Sequence, residues 1–374
     1  WQVALMAPTE ILAEQHYLNF KRWFEPLGLN VAWLSGKQKG KARAAAEQVI
    51  RDGSAHLVVG THALFQENVE FAKLGLVIID EQHRFGVDQR LALRNKGLDG
   101  MSPHQLVMTA TPIPRTLAMS AYGDLDTSII DELPPGRTPI QTVTIPLDRR
   151  EEVLQRIATN CAEGKQAYWV CTLVEQSETL DAQAAEATFA EIKERFPELN
   201  IGLVHGKMKA DEKQAVMQEF KDNKLQLLIA TTVIEVGVDV PNASIMVIEN
   251  AERLGLSQLH QLRGRVGRGA KASFCALLYK NPLSQNGQER LRIMRETNDG
   301  FIIAEKDLEL RGPGELLGTK QTGDMGFRVA KLERDDHLLN QAHYVAQQML
   351  KDYPKQADAL LKRWLPEAPR YAYV

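Results

Sequence analysis

Two neighbouring carboxylates, Asp80 and Glu81, follow directly on an apolar run that extends from Leu76 to Ile79. An apolar run of this kind is typical of a buried parallel strand, and open α/β sheets bind ligands at the carboxyl ends of such strands. One carboxylate there can hold Mg²⁺ while the other polarises an attacking water. We predict that Asp80 holds the metal and that Glu81 activates the water. The alternative is an exposed acidic turn after a core strand.

A metal and water pair of this kind needs a phosphate-binding loop, normally of the form G-x-x-x-x-G-K-[ST], upstream of it. The 374 residues contain no such loop, and Trp1 is not a natural start. We therefore expect the loop to precede this sequence in a longer protein. The chain alone is expected to be deficient in nucleotide hydrolysis.

A basic triplet stands in the stretch Gln261-Leu262-Arg263-Gly264-Arg265-Val266-Gly267-Arg268-Gly269. Planar guanidinium groups match phosphate oxygens, and an arginine supplied to a transferring phosphoryl group stabilises its charge. We predict this role for Arg265 and Arg268, whereas Arg263 is expected to face DNA or to form a structural ion pair. The alternative is a basic loop that binds any anion.

Hydroxyl-bearing residues follow two other apolar runs. Thr109 and Thr111 are placed to link the acidic site to a second domain, although a helix cap with a nearby proline is the alternative. Thr231 and Thr232 are expected to hold a nucleic-acid phosphate, and Asp239 to accept a ribose hydroxyl or to pair with an arginine. Here the alternative is a helix with threonine caps and a turn at residues 238–241.

The elements that must position these residues alternate between short apolar runs and longer amphipathic stretches, which predicts an α/β fold with buried parallel strands. A Pro-rich polar stretch at residues 131–139 is typical of a linker. We predict a first parallel-sheet domain over 1–136, a second over 137–284, and a mainly helical region with a helical hairpin over 285–374. The predicted strands are 2–6, 31–34, 56–59, 76–79, 105–108, 141–145, 166–171, 201–204, 225–230, 244–249 and 273–278. The predicted helices of the last region are 289–296, 301–310 and 336–351.

Composition describes an ordinary globular chain, with 44% hydrophobic and 25% charged residues. No apolar run approaches the ~20 residues that a membrane span needs. The net charge of −3 gives no support for nucleic-acid binding, so any DNA contact must come from local basic clusters. Three cysteines without metal or redox spacing indicate a reducing cytoplasm. No repeat of fixed period is visible, although the two α/β halves are candidates for structural duplicates.

Taken in order, these motifs resemble those of superfamily 2 helicases. The correspondence places motif Ia at residues 6–10, Ib at 59–62, II at 80–83, III at 109–112, IV at 167–171, IVa at 204–208, V at 230–241 and VI at 261–268. The resemblance implies two RecA-like domains of the P-loop NTPase type, the first truncated at its amino end. It also implies ATP and Mg²⁺ as cofactors and DNA as the partner.

The stretch Asp80-Glu81-Gln82-His83-Arg84-Phe85-Gly86-Val87 resembles the bacterial branch that contains RecG helicases and transcription-repair coupling factors. Residues 301–323 resemble the translocation motif of that branch, a helical hairpin and loop that couple motor closure to movement on duplex DNA. Gln82 favours the RecG family, because the coupling factors usually have glutamate there.

The resemblance also implies a role for each matching residue. The expected nucleotide contacts are Gln82, His83, Thr109, Thr111, Gly237, Asp239 and Gln261. The expected DNA contacts are Thr9, Thr61, Thr231, Thr232 and Arg263, largely with the backbone and with little sequence information. Arg311 and Gln321 are expected to belong to the translocation motif.

For the intact protein, the resemblance implies an ATP-dependent translocase on double-stranded DNA that acts on branched DNA such as stalled forks and Holliday junctions, in recombination and repair. A monomer in the bacterial cytoplasm, associated with the nucleoid, is expected, with single-stranded DNA-binding protein as a further candidate partner and no membrane. One alternative is the motor of a transcription-repair coupling factor. Others are a DNA- or protein-binding module without ATPase activity and a nucleotide-binding α/β protein unrelated to DNA.

Overall fold

The computed structural model describes residues 1–66, 68–81, 96–97, 101–109, 126–133, 137–172, 178–232, 240–269, 272–311 and 335–364. The chain divides into two compact units. Unit 1 comprises Trp1–Ala110 with Val345–Val374, and unit 2 comprises Thr111–Tyr344. The predicted division into three parts, at residues 136 and 284, stays a prediction.

Unit 1 is built on a parallel sheet whose strand order is β2-β3-β1-β4-β5. Its strands are β1 (Gln2–Met6), β2 (Val31–Leu34), β3 (Leu57–Gly60), β4 (Leu74–Ile79) and β5 (His104–Val107). Its first helices are α1 (Glu10–Phe24) and α2 (Gly40–Arg51), with 3₁₀ turns at Glu25–Leu27 and His62–Phe65. All four residues of β3 are buried, as expected of a strand covered on both faces.

Unit 2 is built on a larger parallel sheet whose strand order is β6-β11-β10-β7-β9-β8. Its strands are β6 (Gln141–Pro146), β7 (Gln166–Val170), β8 (Ile201–Val204), β9 (Leu227–Ala230), β10 (Ala243–Ile248) and β11 (Phe274–Tyr279). Its helices are α3 (Arg150–Ala162), α4 (Glu178–Arg195), α5 (Ala210–Lys221), α6 (Leu256–Arg263), α7 (Gln285–Glu296) and α8 (Gly300–Arg311), with 3₁₀ turns at Leu147–Arg149 and Ala251–Arg253. Every predicted strand is confirmed, with ends that shift by one or two residues at several of them.

Two further helices follow the predicted hairpin α7–α8. They are α9 (Leu339–Asp352), which comes after a 3₁₀ turn at Asp336–Leu338, and α10 (Pro354–Trp364). The sequence-based prediction included α9 but not α10. The missed signal is Pro354, because proline is favoured in the first helical turn, where its missing N–H costs no hydrogen bond. No described helix is long and apolar enough to cross a bilayer.

The two sheets are duplicates of one arrangement. Read from its other edge, the sheet of unit 2 runs β8-β9-β7-β10-β11, which repeats the order β2-β3-β1-β4-β5 and adds β6 at the end. Residues 30–61 also align with residues 200–231 without a gap. The shared residues are Asn30 and Asn200, Gly36 and Gly206, Lys37 and Lys207, Lys39 and Lys209, Ala45 and Ala215, Gln48 and Gln218, Asp52 and Asp222, Leu57 and Leu227, and Thr61 and Thr231. The expectation that no sequence repeat is visible was therefore wrong.

The duplication extends to a buried hydrogen bond pattern. The side-chain amide of Gln2, the first residue of β1, donates to the carbonyls of Ile50 and Ala55, both at 2.9 Å. The amide of Gln166, the first residue of β7, donates at 2.6 and 2.7 Å to two carbonyls at the equivalent positions, one at the end of α5 and one just after it. Those carbonyls belong to Phe220 and Leu225. Each glutamine thereby ties the end of a helix to the start of a central strand.

Candidate functional site

Asp80 lies at the carboxyl end of β4, where the sequence predicts a metal ligand. Its N–H donates to the carbonyl of Met6 at 2.9 Å, which continues the pairing of β4 with β1. Its Oδ1 accepts from the backbone N–H of Glu81 at 2.9 Å, and its Oδ2 lies 2.7 Å from Nε2 of His16. The side chain keeps 18% of its surface exposed, so the carboxylate is oriented by the protein yet open to solvent.

Glu81 has a backbone φ of 52°, in the left-handed region. A non-glycine residue held there costs on the order of 1–3 kcal/mol, and such residues cluster at functional sites. The chain therefore turns sharply at the predicted water activator, directly after the predicted metal ligand. Asp80 and Glu81 thus lie together at the carboxyl end of β4, where the sequence predicts the metal and water pair.

The donor groups described around Asp80 are of the kind that Mg²⁺ accepts, a single carboxylate with an oxygen open to solvent. Among the described residues, no group of three His, Cys, Asp or Glu side chains could hold a metal ion. Mg²⁺ usually keeps several waters and takes only one or two carboxylates together with substrate phosphates. Thr109, the described member of the predicted motif III pair, follows β5 beside β4. Three further predicted nucleotide contacts, Gln82, His83 and Thr111, lie outside the described residues.

In unit 2 the residue equivalent to Asp80 is Glu249, and its carboxylate forms an ion pair with an arginine. Glu249 directly follows β10, donates its N–H to the carbonyl of Val170 at 2.9 Å, and is followed by Asn250 with a φ of 48°. Its Oε1 accepts from Nε of Arg150 at 2.5 Å. Burial lowers the pKa of Arg150, but its hydrogen bonds with Glu191 and Glu249 raise that pKa by more, so the guanidinium stays charged. The position equivalent to Asp80 in unit 2 thus carries a carboxylate paired with a cation.

The remaining strand ends of unit 1 carry hydroxyl and basic groups. Thr9 follows β1 and caps α1, its Oγ1 accepting from the N–H of Leu12 at 3.3 Å. Thr61 follows β3. Because the strand order is β2-β3-β1-β4-β5, Thr9, Thr61 and the lysines after β2 follow strands on one side of β4, and Asp80 with Thr109 follows β4 and β5. We call this row of strand ends the divided sheet edge.

Two lysine loops at equivalent strand ends are candidate DNA contacts that the sequence analysis did not name. Lys37 and Lys39 follow β2, Lys207 and Lys209 follow β8, and all four are exposed. Lys37 forms an ion pair with Glu10 at 2.9 Å. The sequence signal for these lysines is the repeated pattern Gly-Lys-x-Lys. Since the net charge of the chain is negative, DNA contact would depend on local basic clusters such as these.

The hydroxyls of Thr61 and Thr231 require a correction. Both are buried and have no hydrogen-bond partner within the described part of the chain. The backbone N–H of Thr231 is also engaged, with the carbonyl of Val204 at 3.1 Å. In this conformation neither hydroxyl faces a solvent-side phosphate, whereas Thr232 is partly exposed.

Arg263 also departs from the predicted DNA contact, because it is 2% exposed. Its Nη1 donates to the carbonyls of Met294 and Thr297, at 2.9 and 2.8 Å. Its Nη2 lies 3.3 Å from Nδ1 of His260, whose pKa is lowered to about 4 by burial and by the positive charge of Arg263. The guanidinium thus closes the carboxyl end of α7, which was the structural alternative left open by the sequence, with carbonyls in place of an ion pair.

Replacing Arg263 by methionine should destabilise unit 2 by about 3 kcal/mol or more, because buried carbonyls left without a donor cost about 1–3 kcal/mol each. Arg263→Lys should recover little, since one ammonium cannot reproduce the planar fork. The midpoint of denaturant unfolding would measure this, with Arg268→Met as the matched control. An Arg263→Met variant as stable as the wild type would contradict the structural role.

The other two arginines of the triplet differ in exposure. Arg265 is 9% exposed, whereas Arg268 is exposed and donates Nε to the carbonyl of Gly264 at 3.3 Å. Between them, Gly267 has a φ of 78°, and a Cβ there would lie 3.0 Å from Cγ1 of Ile140, so the turn favours glycine. Gln261 is partly exposed on α6. Arg268 is therefore the better placed of the two predicted fingers.

Helix α6, which leads into this triplet, is bonded to the predicted translocation hairpin. Ser257 Oγ donates to Oδ2 of Asp307 at 2.6 Å, and Asp307 on α8 is 3% exposed. Arg263 bonds the same helix to the end of α7. Arg311 ends α8, while Gln321, Gly237 and Asp239 lie outside the described residues. The arginine motif and the hairpin are thus parts of one hydrogen-bonded assembly within unit 2.

Three known families match successive segments of the chain. Residues 1–120 match the DEAD/DEAH box helicase family, and residues 149–270 match the helicase conserved C-terminal domain. Residues 297–364 match the domain described as ATP-dependent DNA helicase RecG, domain 3, C-terminal. The last match begins after α7 and covers α8, α9 and α10.

Curated relatives extend the likeness over nearly the whole chain. The ATP-dependent DNA helicase RecG of Escherichia coli is 65% identical over 99% of this chain and 54% of its own length. The RecG of Haemophilus influenzae is 63% identical over the same shares. The chain therefore spans about half the length of the curated relatives it matches.

Solved structures agree with the architecture. A structure of RecG bound to a three-way DNA junction is 45% identical, covers 91% of this chain and 43% of its own, and has a TM-score of 0.72. Dbp5 of S. cerevisiae bound to RNA, with 14% identity and a TM-score of 0.59 over 83% of this chain and 81% of its own, shows the fold alone. Over nearly its whole length the chain is therefore homologous to about half of the ATP-dependent DNA helicase RecG.

Proposed function

We propose that the chain is the motor of an ATP-dependent translocase that moves on double-stranded DNA and acts on branched DNA in recombination and repair. The observation that carries the proposal is the divided sheet edge of unit 1. It brings the oriented carboxylate of Asp80, with Glu81 next to it, and a set of hydroxyl and lysine groups to neighbouring strand ends of one sheet. A motor needs this proximity, because ATP hydrolysis at one group of strand ends must change the DNA contacts at the other.

At the nucleotide end, Asp80 would hold Mg²⁺ directly or through water, with the metal supplying charge neutralisation at the transferring phosphoryl group. Glu81 would orient and polarise the attacking water, and Arg265 and Arg268 would stabilise the developing charge. Gln261 would help to sense the transferring phosphate. The cation found at the duplicate position, Arg150 on Glu249, supports a cation on Asp80.

At the DNA end, the lysine loops after β2 and β8 would contact phosphates, and Thr9 and Thr232 would add contacts through hydroxyl or amide groups. Such contacts fix the register on the duplex without reading its sequence. The hydrogen-bonded assembly of α6, α7 and α8 would carry movement of the arginine motif to the hairpin.

Branched DNA as the substrate is supported by the relative solved on a three-way junction and by the RecG-specific match at residues 297–364. That match favours a RecG motor over the motor of a transcription-repair coupling factor. Action on chromosomal DNA would place the protein in the bacterial cytoplasm at the nucleoid. A monomeric state and an interaction with single-stranded DNA-binding protein remain predictions.

The test is DNA-stimulated ATP hydrolysis, compared between this chain and a full-length protein that contains it. We expect junction-stimulated hydrolysis by the full-length protein and little by the chain, because the phosphate-binding loop is not among its residues. Linear duplex of equal length is the control for junction preference. Hydrolysis by neither protein, with DNA binding that ignores nucleotide, would instead support a DNA-binding module.

A further inference from the structure

His16 forms a hydrogen bond with Asp80, the predicted metal ligand, and lies outside all of the helicase motifs. Its Nε2 lies 2.7 Å from Oδ2 of Asp80, across 64 residues of sequence, and both side chains are partly exposed, at 24% and 18%. The other oxygen of Asp80 accepts from the N–H of Glu81. The carboxylate is thus fixed from both sides, and each oxygen retains a second lone pair for a metal or a metal-bound water.

The helix that carries His16 begins at the other half of the divided sheet edge. Thr9 caps α1, and Lys37 after β2 reaches Glu10 in its first turn. His16 lies seven residues after Thr9, about 10 Å further along the helix. Helix α1 therefore has one end among the proposed DNA contacts and its second turn on the metal carboxylate.

Packing makes α1 a stiff connector. Ala13 is fully buried, and Leu12, Tyr17 and Phe20 pack against a core cluster that includes Leu5 and Val59 of the sheet. A displacement at the first turn cannot be absorbed by a loose helix, because its inner face is held over several turns. It would instead reach the His16–Asp80 bond.

We propose that His16 is a positioning residue: it holds Asp80 for the metal and joins DNA contact at the start of α1 to the nucleotide site. The inference rests on the proposed function, since it requires Asp80 to hold Mg²⁺. Partners that orient a metal ligand typically change metal affinity or activity by about 10–100-fold when they are removed.

The test measures binding rather than turnover, in the full-length protein. The affinity for a fluorescent ADP analogue is compared in Mg²⁺ and in EDTA, and again with and without a duplex oligonucleotide. We expect His16→Ala to reduce the Mg²⁺-dependent tightening about 10-fold and to leave the affinity in EDTA unchanged. The effect of duplex on nucleotide affinity should fall with it, because coupling between two ligands is reciprocal.

Three variants make the result decisive. His16→Gln keeps an N–H at similar reach and should restore most of the Mg²⁺-dependent tightening, whereas Asn19→Ala on the same helix should behave as wild type. Asp80→Asn should abolish the tightening. Loss in Asp80→Asn but none in His16→Ala would overturn the role of His16 alone, while tightening retained in Asp80→Asn would overturn the proposed metal site itself. Duplex coupling retained in a His16→Ala protein that has lost the tightening would overturn the link through α1.

Discussion

Replacing Glu81 by glutamine should lower DNA-stimulated ATP hydrolysis of the full-length protein by about 10²–10⁴-fold, the range by which a positioned general base accelerates a reaction. The change removes the negative charge that polarises the water but keeps the side-chain length. The left-handed backbone at this position, with a φ of 52°, makes the same demand on either residue. Folding should therefore be preserved while the chemical step is lost.

The control for Glu81→Gln is Glu70→Gln, because Glu70 is exposed and forms a surface ion pair with Arg51 in the same unit. Nucleotide affinity in the presence of Mg²⁺ should remain near the wild-type value in both variants, since Asp80 is intact. Turnover by Glu81→Gln at the wild-type rate would remove Glu81 from the role of water activator and return the acidic turn to its structural alternative.

The strands were predictable from sequence because most of them are short apolar runs separated by helical patterns. The end of β4 then located Asp80 and Glu81 by a general rule of parallel sheets, whereas Thr9 came from the resemblance to helicase motifs. Contacts made across long separations were not predictable in this way. His16 meets Asp80 only because α1 packs back over the sheet, and helical periodicity alone does not predict which group a partly exposed histidine will contact.

Arg263 shows a second limit. The sequence left open whether Arg263 faces DNA or is structural, because its burial depends on where α7 ends, far along the chain. The duplication of the two sheets was missed because its sequence signal is weak. Its identities are spread thinly over residues 30–61 and 200–231, and they become convincing only when the strand order and the Gln2 and Gln166 bonds coincide.

Arg268→Ala should reduce DNA-stimulated hydrolysis by about 10³-fold or more, the scale on which arginine fingers act, and should leave the unfolding midpoint unchanged. The reason is the gradient of exposure along the triplet: Arg263 is committed to the carbonyls of α7 and Arg265 is 9% exposed, whereas Arg268 stands on an exposed turn. Arg268→Lys should fail as well, because a point charge does not reproduce two parallel N–H donors.

Exposed Arg156 on α3 supplies the control, and Arg156→Ala should alter neither the rate of hydrolysis nor the unfolding midpoint. Hydrolysis that survives in Arg268→Ala but is lost in Arg265→Ala, with stability intact, would move the finger to Arg265. Such a result would require its buried guanidinium to emerge during the cycle.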